Sequence, residues 1–373
     1  MPEDIRSVND LHKIPITTKS CLRDLDIREI ISKNARPDDC IKMITSGESG
    51  IPFEFYLGPE EYDYWKLLLL RFHMANGMRL TDKCTVLAYP LRFPKNKRWF
   101  QRLGVLRHIY ISALDPAKKY TDKIIKSNPD VILGYASALK LFAKEAEKRK
   151  DINIRPKSIL SSGEMLDSET RFIVKKTFGI QIADLYSVIE TGPIAWECPF
   201  HEGYHINIDS VVLECVKNGK IASYGEKGRL ICTNLFNFTM PMIRYSVNDV
   251  AVLTKKTCSC GRGFPLLEKI EGRSLDFITL PDDRVISPAV ILIMLRRLIG
   301  QAQHKVIQKE KDKILIQLVP GKNFREESIA SLKREMQKEL NAAINIDVEI
   351  VEEIKKSRSG KMRSVISEVA NNL

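Results

Sequence analysis

The sequence predicts an α/β fold, with a large N-terminal α/β domain that includes a β-rich subdomain and a small C-terminal α+β domain. Three observations predict it. Helix-period and strand-like runs alternate through the first half of the chain. Between residues 206 and 253 the texture changes to short strands parted by turn dipeptides, and after Gly272-Arg273 a new helix and strand rhythm begins.

Taken in order, Glu60 to Ala75, Leu139 to Lys148 and Ser168 to Phe178 repeat apolar positions at helical spacing. Val131-Ile132-Leu133, Ser158-Ile159-Leu160 and Ile180 to Leu185 are short runs of strand type. Val211 to Val216, Gly228 to Thr233 and Val250 to Thr254 follow, separated by Asn218-Gly219 and Gly225-Glu226, residues that tolerate tight turns. Beyond them come a helix from Pro288 to Leu298, a strand from Lys313 to Leu318, a helix from Glu326 to Ala343 and a strand from Ile346 to Val351. The boundary is expected near Asp276, dividing the chain into domains 1–275 and 276–373.

With 373 residues, 44% of them hydrophobic, the chain can fill two cores. Its 59 Lys and Arg against 47 Asp and Glu leave a formal charge of +12, which suits anionic ligands such as ATP, CoA or a nucleic acid. The excess is scattered over Lys95 to Arg102, Lys118 to Lys126 and Lys355 to Arg363, without an arginine-rich tail or interleaved aromatics, so no nucleic-acid partner is expected. The first residues carry Glu3 and Asp4 and no apolar run, and no stretch approaches the roughly 20 apolar residues of a membrane span. A cytoplasmic protein is therefore expected, without membrane contact. Its eight cysteines would be reduced thiols or metal ligands. A homodimer is left open.

Five short motifs bear chemistry. Thr45-Ser46-Gly47-Glu48-Ser49-Gly50-Ile51-Pro52 is a hydroxyl- and glycine-rich loop that can bring backbone N–H groups close to phosphates. Lacking a Gly-Lys-Ser/Thr end, it is not a P-loop. Ser162-Gly163-Glu164 and the loop Asp184 to Gly192 follow strands, where open α/β sheets bind ligands; there Tyr186 can stack on a base and Glu190 can hold Mg²⁺. Arg244 to Asp249 sets a cation and an anion in a short inter-strand loop, where a carboxylate can accept ribose hydroxyls. Ser357-Arg358-Ser359-Gly360-Lys361 is a basic turn after the last strand. A plain turn, a packed tyrosine, a surface ion pair or a solvated tail would explain each motif taken alone.

Cysteine spacing adds a metal reading. Cys198 and His201, with Cys258 and Cys260, make a Cys₃His set of the number and softness that suits a closed structural zinc site clipping the β-rich subdomain to the α/β core. His205 is a spare ligand, and Cys215 and Cys232 are expected in the core.

In this order and at these intervals, the motifs resemble the adenylate-forming superfamily, and within it the phenylacetate–CoA ligases and their relatives from polysaccharide-synthesis clusters. The matching segments are 45–52, 162–164, 186–190, 244–249, 258–262, 272–276 and 360–361, spread over nearly the whole chain. The resemblance implies ATP-dependent activation of an aryl or other carboxylic acid as acyl-adenylate, with transfer to CoA or another acceptor. It implies that Ser46, Gly47, Ser49 and Gly50 line the phosphates and that Gly163 and Glu164 border the adenine. Tyr186 would pack on the base, Glu190 would ligate Mg²⁺, and Asp249 would hold the ribose with Arg273 nearby. Lys361 would bridge the acid carboxylate and the α-phosphate. The C-terminal domain would close for adenylation, pivoting at Asp276. By the family pattern His205 lies near the acyl pocket.

The sequence departs from the family pattern at Glu48, a carboxylate where a hydroxyl residue is usual, and at Ser187, Ile189 and Leu275. It also starts close to the phosphate loop, so part of the family's N-terminal region is expected to be absent. Two other functions remain open: an adenylyltransferase or amide-forming relative, and a binding or scaffold homologue with reduced catalysis.

Overall fold

The computed structural model describes residues 4–23, 25–44, 53–90, 93–94, 99–149, 153–271, 278–282, 284–286, 288–299, 302–320, 327–340, 343–354 and 364–369. After a 3₁₀ turn at Val8–Lys13 come two short helices, α1 (Lys19–Arg23) and α2 (Ile27–Ile30), the second capped by Asp26. The hairpin β1 (Ile41–Ile44) and β2 (Glu54–Leu57) follows, then α3 (Pro59–Ala75), where Pro59 at the first turn is preset for a helix and Asn76 ends it.

The next segment alternates strands and helices: β3 (Lys83–Ala88), α4 (Trp99–Arg102), β4 (Arg107–Ser112), α5 (Ala117–Ser127), β5 (Val131–Gly134), α6 (Ala136–Glu147), β6 (Ser158–Ser162), α7 (Ser168–Phe178) and β7 (Ala183–Val188). These strands pair in parallel in the order β4-β3-β5-β6-β7, with buried runs such as Ser158–Ser161, as a doubly covered sheet requires. Asn128 and Gly179, both left-handed, stop α5 and α7.

From β8 (Gly192–Glu197) the chain becomes antiparallel: β9 (Tyr204–Ile206), β10 (Val211–Lys217), β11 (Lys220–Ile221), β12 (Lys227–Asn234), β13 (Tyr245–Thr254) and β14 (Leu266–Glu271). The expected β-rich subdomain is not a separate sheet. Its strands continue the parallel set in one twelve-stranded sheet, β11-β10-β12-β13-β14-β9-β8-β7-β6-β5-β3-β4. The seam is β9 with β14, where only Leu266 with His205 and Leu267 with Tyr204 are in register. Gly203 permits this approach: at φ +140°, a Cβ there would stand 2.7 Å from the Leu267 carbonyl oxygen.

Beyond the small hairpin β15 (Ile278–Thr279) and β16 (Val285–Ile286) come α8 (Pro288–Ile299), β17 (Gln303–Glu310), β18 (Lys313–Val319), α9 (Glu327–Leu340), β19 (Asn345–Ile350) and β20 (Val365–Ser367). The last four strands form a second sheet, β19-β18-β17-β20. This C-terminal part meets the large body near the ends of β3 and β4, where the Tyr89 hydroxyl donates to Glu339 at 2.6 Å and Arg284 donates to the Leu114 carbonyl at 3.2 Å. Among the described residues, no helix is long and apolar enough to cross a membrane.

Candidate active site

Strands β7 and β13 lie four places apart in the sheet, yet side chains join them twice. The Tyr186 hydroxyl donates to Asp249 Oδ2 at 2.8 Å, and the Tyr245 hydroxyl donates to Glu190 Oε1 at 2.9 Å. The sheet thus curls until the two motifs, far apart in sequence, face each other. Both were expected as loops. Instead Tyr186 lies within β7 and Asp249 within β13, and only Glu190 sits on a turn, between β7 and β8. The correction is physical: Leu185 and Tyr186 pair with Trp196 and Ala195, while Asp249 lies at an irregularity of β13 between Ser246, paired with Ile231, and Val250, paired with Arg229, so ladders hold the backbone on either side of it.

Glu190 is buried, and the Lys19 ammonium stands 3.2 Å from its Oε1. Lys19 is carried there by the N-terminal segment, which runs beside β13: the Thr17 N–H donates to the Arg244 carbonyl at 2.9 Å, and the Ser246 N–H donates to the Thr17 carbonyl at 2.8 Å. Arg244 fixes the same segment. It donates to both oxygens of Glu214 at 3.0 Å and, through Nη1, to the carbonyls of His12 at 3.1 Å and Ile14 at 2.5 Å. Arg244 therefore anchors the chain start. Neither Lys19 nor Tyr245 was singled out from the sequence: one lysine in a basic chain carries no signal, and Tyr245 was read only as part of its motif.

Gly163 has φ +83°, and a Cβ on it would meet the Tyr135 ring at 3.3 Å. Its neighbour Glu164 accepts from the Ser137 N–H at 2.9 Å, so this loop is locked onto the first turn of α6. A carboxylate there complements the helix N-terminus. Ser46, Gly47, Glu48, Ser49, Gly50, Arg273, Leu275, Asp276 and Lys361 lie outside the described residues.

Two positions before Tyr186, Asp184 is buried beside Glu197. Glu197 takes a two-point contact from Arg171 at 2.9 and 3.0 Å, while Asp184 accepts from the Tyr204 hydroxyl at 3.0 Å. Burial, then the charge of Glu197, raises the Asp184 carboxyl to about 7.

Cys198, Cys258 and Cys260 converge as expected, but the imidazole among them is that of His205. His201 closes a tight turn on Cys198, its N–H donating to the Cys198 carbonyl at 3.0 Å, with a left-handed backbone at φ +52°. That geometry places its Nδ1 3.7 Å from Glu197, whereas His205 enters the cluster from β9. Cys215 and Cys232 are buried in the core, as expected, and all eight cysteines are free thiols.

The C-terminal part, residues 281–368, matches the family model of the CapK C-terminal domain. Protein CapK of Staphylococcus aureus is 23% identical over 97% of this chain and 81% of its own length. The phenylacetate-coenzyme A ligase of Pseudomonas putida is 27% identical over 75% of this chain, which spans 64% of that enzyme, just under two thirds. Among solved structures, an open conformation of 2-hydroxyisobutyryl-CoA ligase in complex with 2-HIB-AMP and CoA superposes over 98% of this chain and 84% of that one, with a TM-score of 0.61 at 20% identity. The same ligase in its postadenylation state with 2-HIB-AMP gives a TM-score of 0.62. A curled mixed sheet with facing Tyr186 and Asp249 motifs and a second four-stranded sheet thus has the fold of the adenylate-forming enzymes, and the chain is a homologue of CapK and the phenylacetate–CoA ligases.

Proposed function

We propose that the protein activates a carboxylic acid with ATP as its acyl-adenylate and passes the acyl group to CoA. One observation supports this reading above the others: the meeting of Tyr186 with Asp249 and of Glu190 with Tyr245 across the curled sheet. It gathers, at the ends of β7 and β13, an aromatic ring for a base, a carboxylate for ribose hydroxyls and a carboxylate for a cation. The cation preference has its own support, since Glu190 already holds an ammonium at 3.2 Å. CapK and the phenylacetate–CoA ligases are the matching relatives, and the 2-hydroxyisobutyryl-CoA ligase structures are in complex with an acyl-AMP and, in two of them, with CoA as well.

In this reading Tyr186 flanks the adenine, with Gly163 and Glu164 at its border. Asp249 is oriented toward the ribose by the Tyr186 hydroxyl. Glu190 holds Mg²⁺, which supplies positive charge at the phosphates when bound. Ser46, Gly47, Ser49 and Gly50 surround the β- and γ-phosphates, and Arg273 lies near the ribose. A carboxylate attacking an α-phosphate brings anion against anion, so Lys361 neutralises the meeting point. Residues 276–373 form the domain that carries this lysine and closes over the nucleotide.

The test is pyrophosphate release from ATP with a panel of aryl and alkyl acids, followed by addition of CoA or an amine. Acid-dependent pyrophosphate release and a CoA-dependent thioester are expected. Binding of ATP without release for any acid would favour a scaffold homologue, and release followed by transfer only to an amine would favour an amide-forming relative.

A further inference from the structure

We infer that Cys198, His205, Cys258 and Cys260 form a closed structural zinc site that clips the sheet at its seam. The four ligand atoms all lie within 4.8 Å of one another. Cys198 Sγ is 3.6 Å from Cys258 Sγ, and Cys260 Sγ is 3.4 Å from His205 Nε2. A tetrahedron with zinc–sulfur arms of about 2.3 Å and a zinc–nitrogen arm of about 2.0 Å has sulfur–sulfur edges of about 3.8 Å and sulfur–nitrogen edges of about 3.5 Å. Two of the six edges thus already have the lengths that zinc requires, and the remaining ones lie within 4.8 Å.

The surroundings hold each ligand in place. The His205 ring is flanked by Trp196 at 4.9 Å and Phe264 at 6.3 Å between centroids. Its Nδ1 is buried, and Nε2 is the nitrogen that faces Cys260. Glu202 accepts from both the N–H and the hydroxyl of Ser259 at 2.8 Å, drawing the Cys258–Cys260 tip onto the turn between β8 and β9. Arg262 stands beside Cys260, a cation facing the net negative charge of three thiolates on one divalent ion. Cys198, His205 and Cys258 are all buried. Four protein ligands leave no position for substrate, which assigns the ion a structural role.

The site lies where the sheet most needs it. Cys198 follows directly on β8, His205 sits in β9, and Cys258 and Cys260 precede β14, so one ion ties three segments across a seam with two pairs in register. Soft thiolates with one imidazole favour zinc over magnesium or calcium.

Untagged protein purified without chelator should contain one zinc per chain by elemental analysis. His205→Gln and Cys258→Ser should each lose zinc and melt several degrees lower, while His201→Ala keeps its zinc. Because the ligand variants could fail to fold, the native protein is also grown with cobalt. It should then show thiolate-to-cobalt charge transfer and the ligand-field bands of a tetrahedral ion. Zinc-free native protein, or a cobalt form without these bands, overturns the site; zinc lost in His201→Ala and kept in His205→Gln overturns the choice of imidazole.

Discussion

The Lys19 ammonium and the Glu190 carboxylate form an ion pair of 3.2 Å, with the lysine 18% and the glutamate 6% exposed at the side chain. The carboxylate proposed to hold Mg²⁺ is therefore already balanced by a cation from the start of the chain. Replacing Lys19 with Met removes this competitor while keeping the apolar stem. The Mg²⁺ concentration for half-maximal pyrophosphate release should fall several-fold. A rise instead would mean that the ammonium serves the phosphates directly.

Lys361→Ala should lower acyl-adenylate formation by a factor on the order of 10² to 10³, the scale of removing one charge-stabilising donor. Thioester formation from preformed acyl-adenylate should change little, because the proposed role of the lysine is confined to the point where the carboxylate meets the α-phosphate. Separate assays of the two half-reactions decide this. Equal losses in both would remove Lys361 from its assigned role.

Glu48 puts a carboxylate into the loop proposed for the triphosphate. Glu48→Thr removes that repulsion, and the KM for ATP should fall several-fold, read from initial rates at fixed acid. If KM rises, Glu48 is a ligand for metal or substrate rather than a hindrance.

Asp184 gives a pH signature of stability. Its carboxyl is raised from an ordinary 3.8 to about 7 in the fold, so the folded state prefers the protonated form. The contribution is fully present below about 4 and is lost as pH rises through about 7. Asp184→Asn keeps the acceptor for Tyr204 and removes the titration. Urea unfolding should show the variant gaining on the order of 2 kcal/mol relative to the parent between pH 5 and pH 8. A constant difference across that range would show that Asp184 stays charged.

Much of the fold was legible because periodicity reports burial. The helix at residues 60–75 and the strand at 313–318 match α3 and β18 within a residue at each end. Strands β9 and β17 were missed: His205 and the charged residues of β17 interrupt the apolar pattern, and only pairing with neighbours makes these segments extended. Residues 186 and 249 could be chosen by motif, but not their direct contact, since the curl of the sheet follows from tertiary pairing. The choice between His201 and His205 was of the same kind. Spacing along the chain favoured the nearer histidine, and a left-handed turn in the backbone turned it aside.

The grip of Arg244 on the carbonyls of His12 and Ile14 also bears on how the protein is made. These partners are 232 and 230 residues apart, so at roughly 5 to 20 residues per second the segment holding His12 and Ile14 waits on the order of ten to fifty seconds before its anchor has been synthesised. Until then Lys19 has no Glu190-bearing turn docked against β13 to join. The segment around residues 12–19 is thus among the last to settle, and the site proposed for the nucleotide can be completed only after the twelve-stranded sheet is nearly whole.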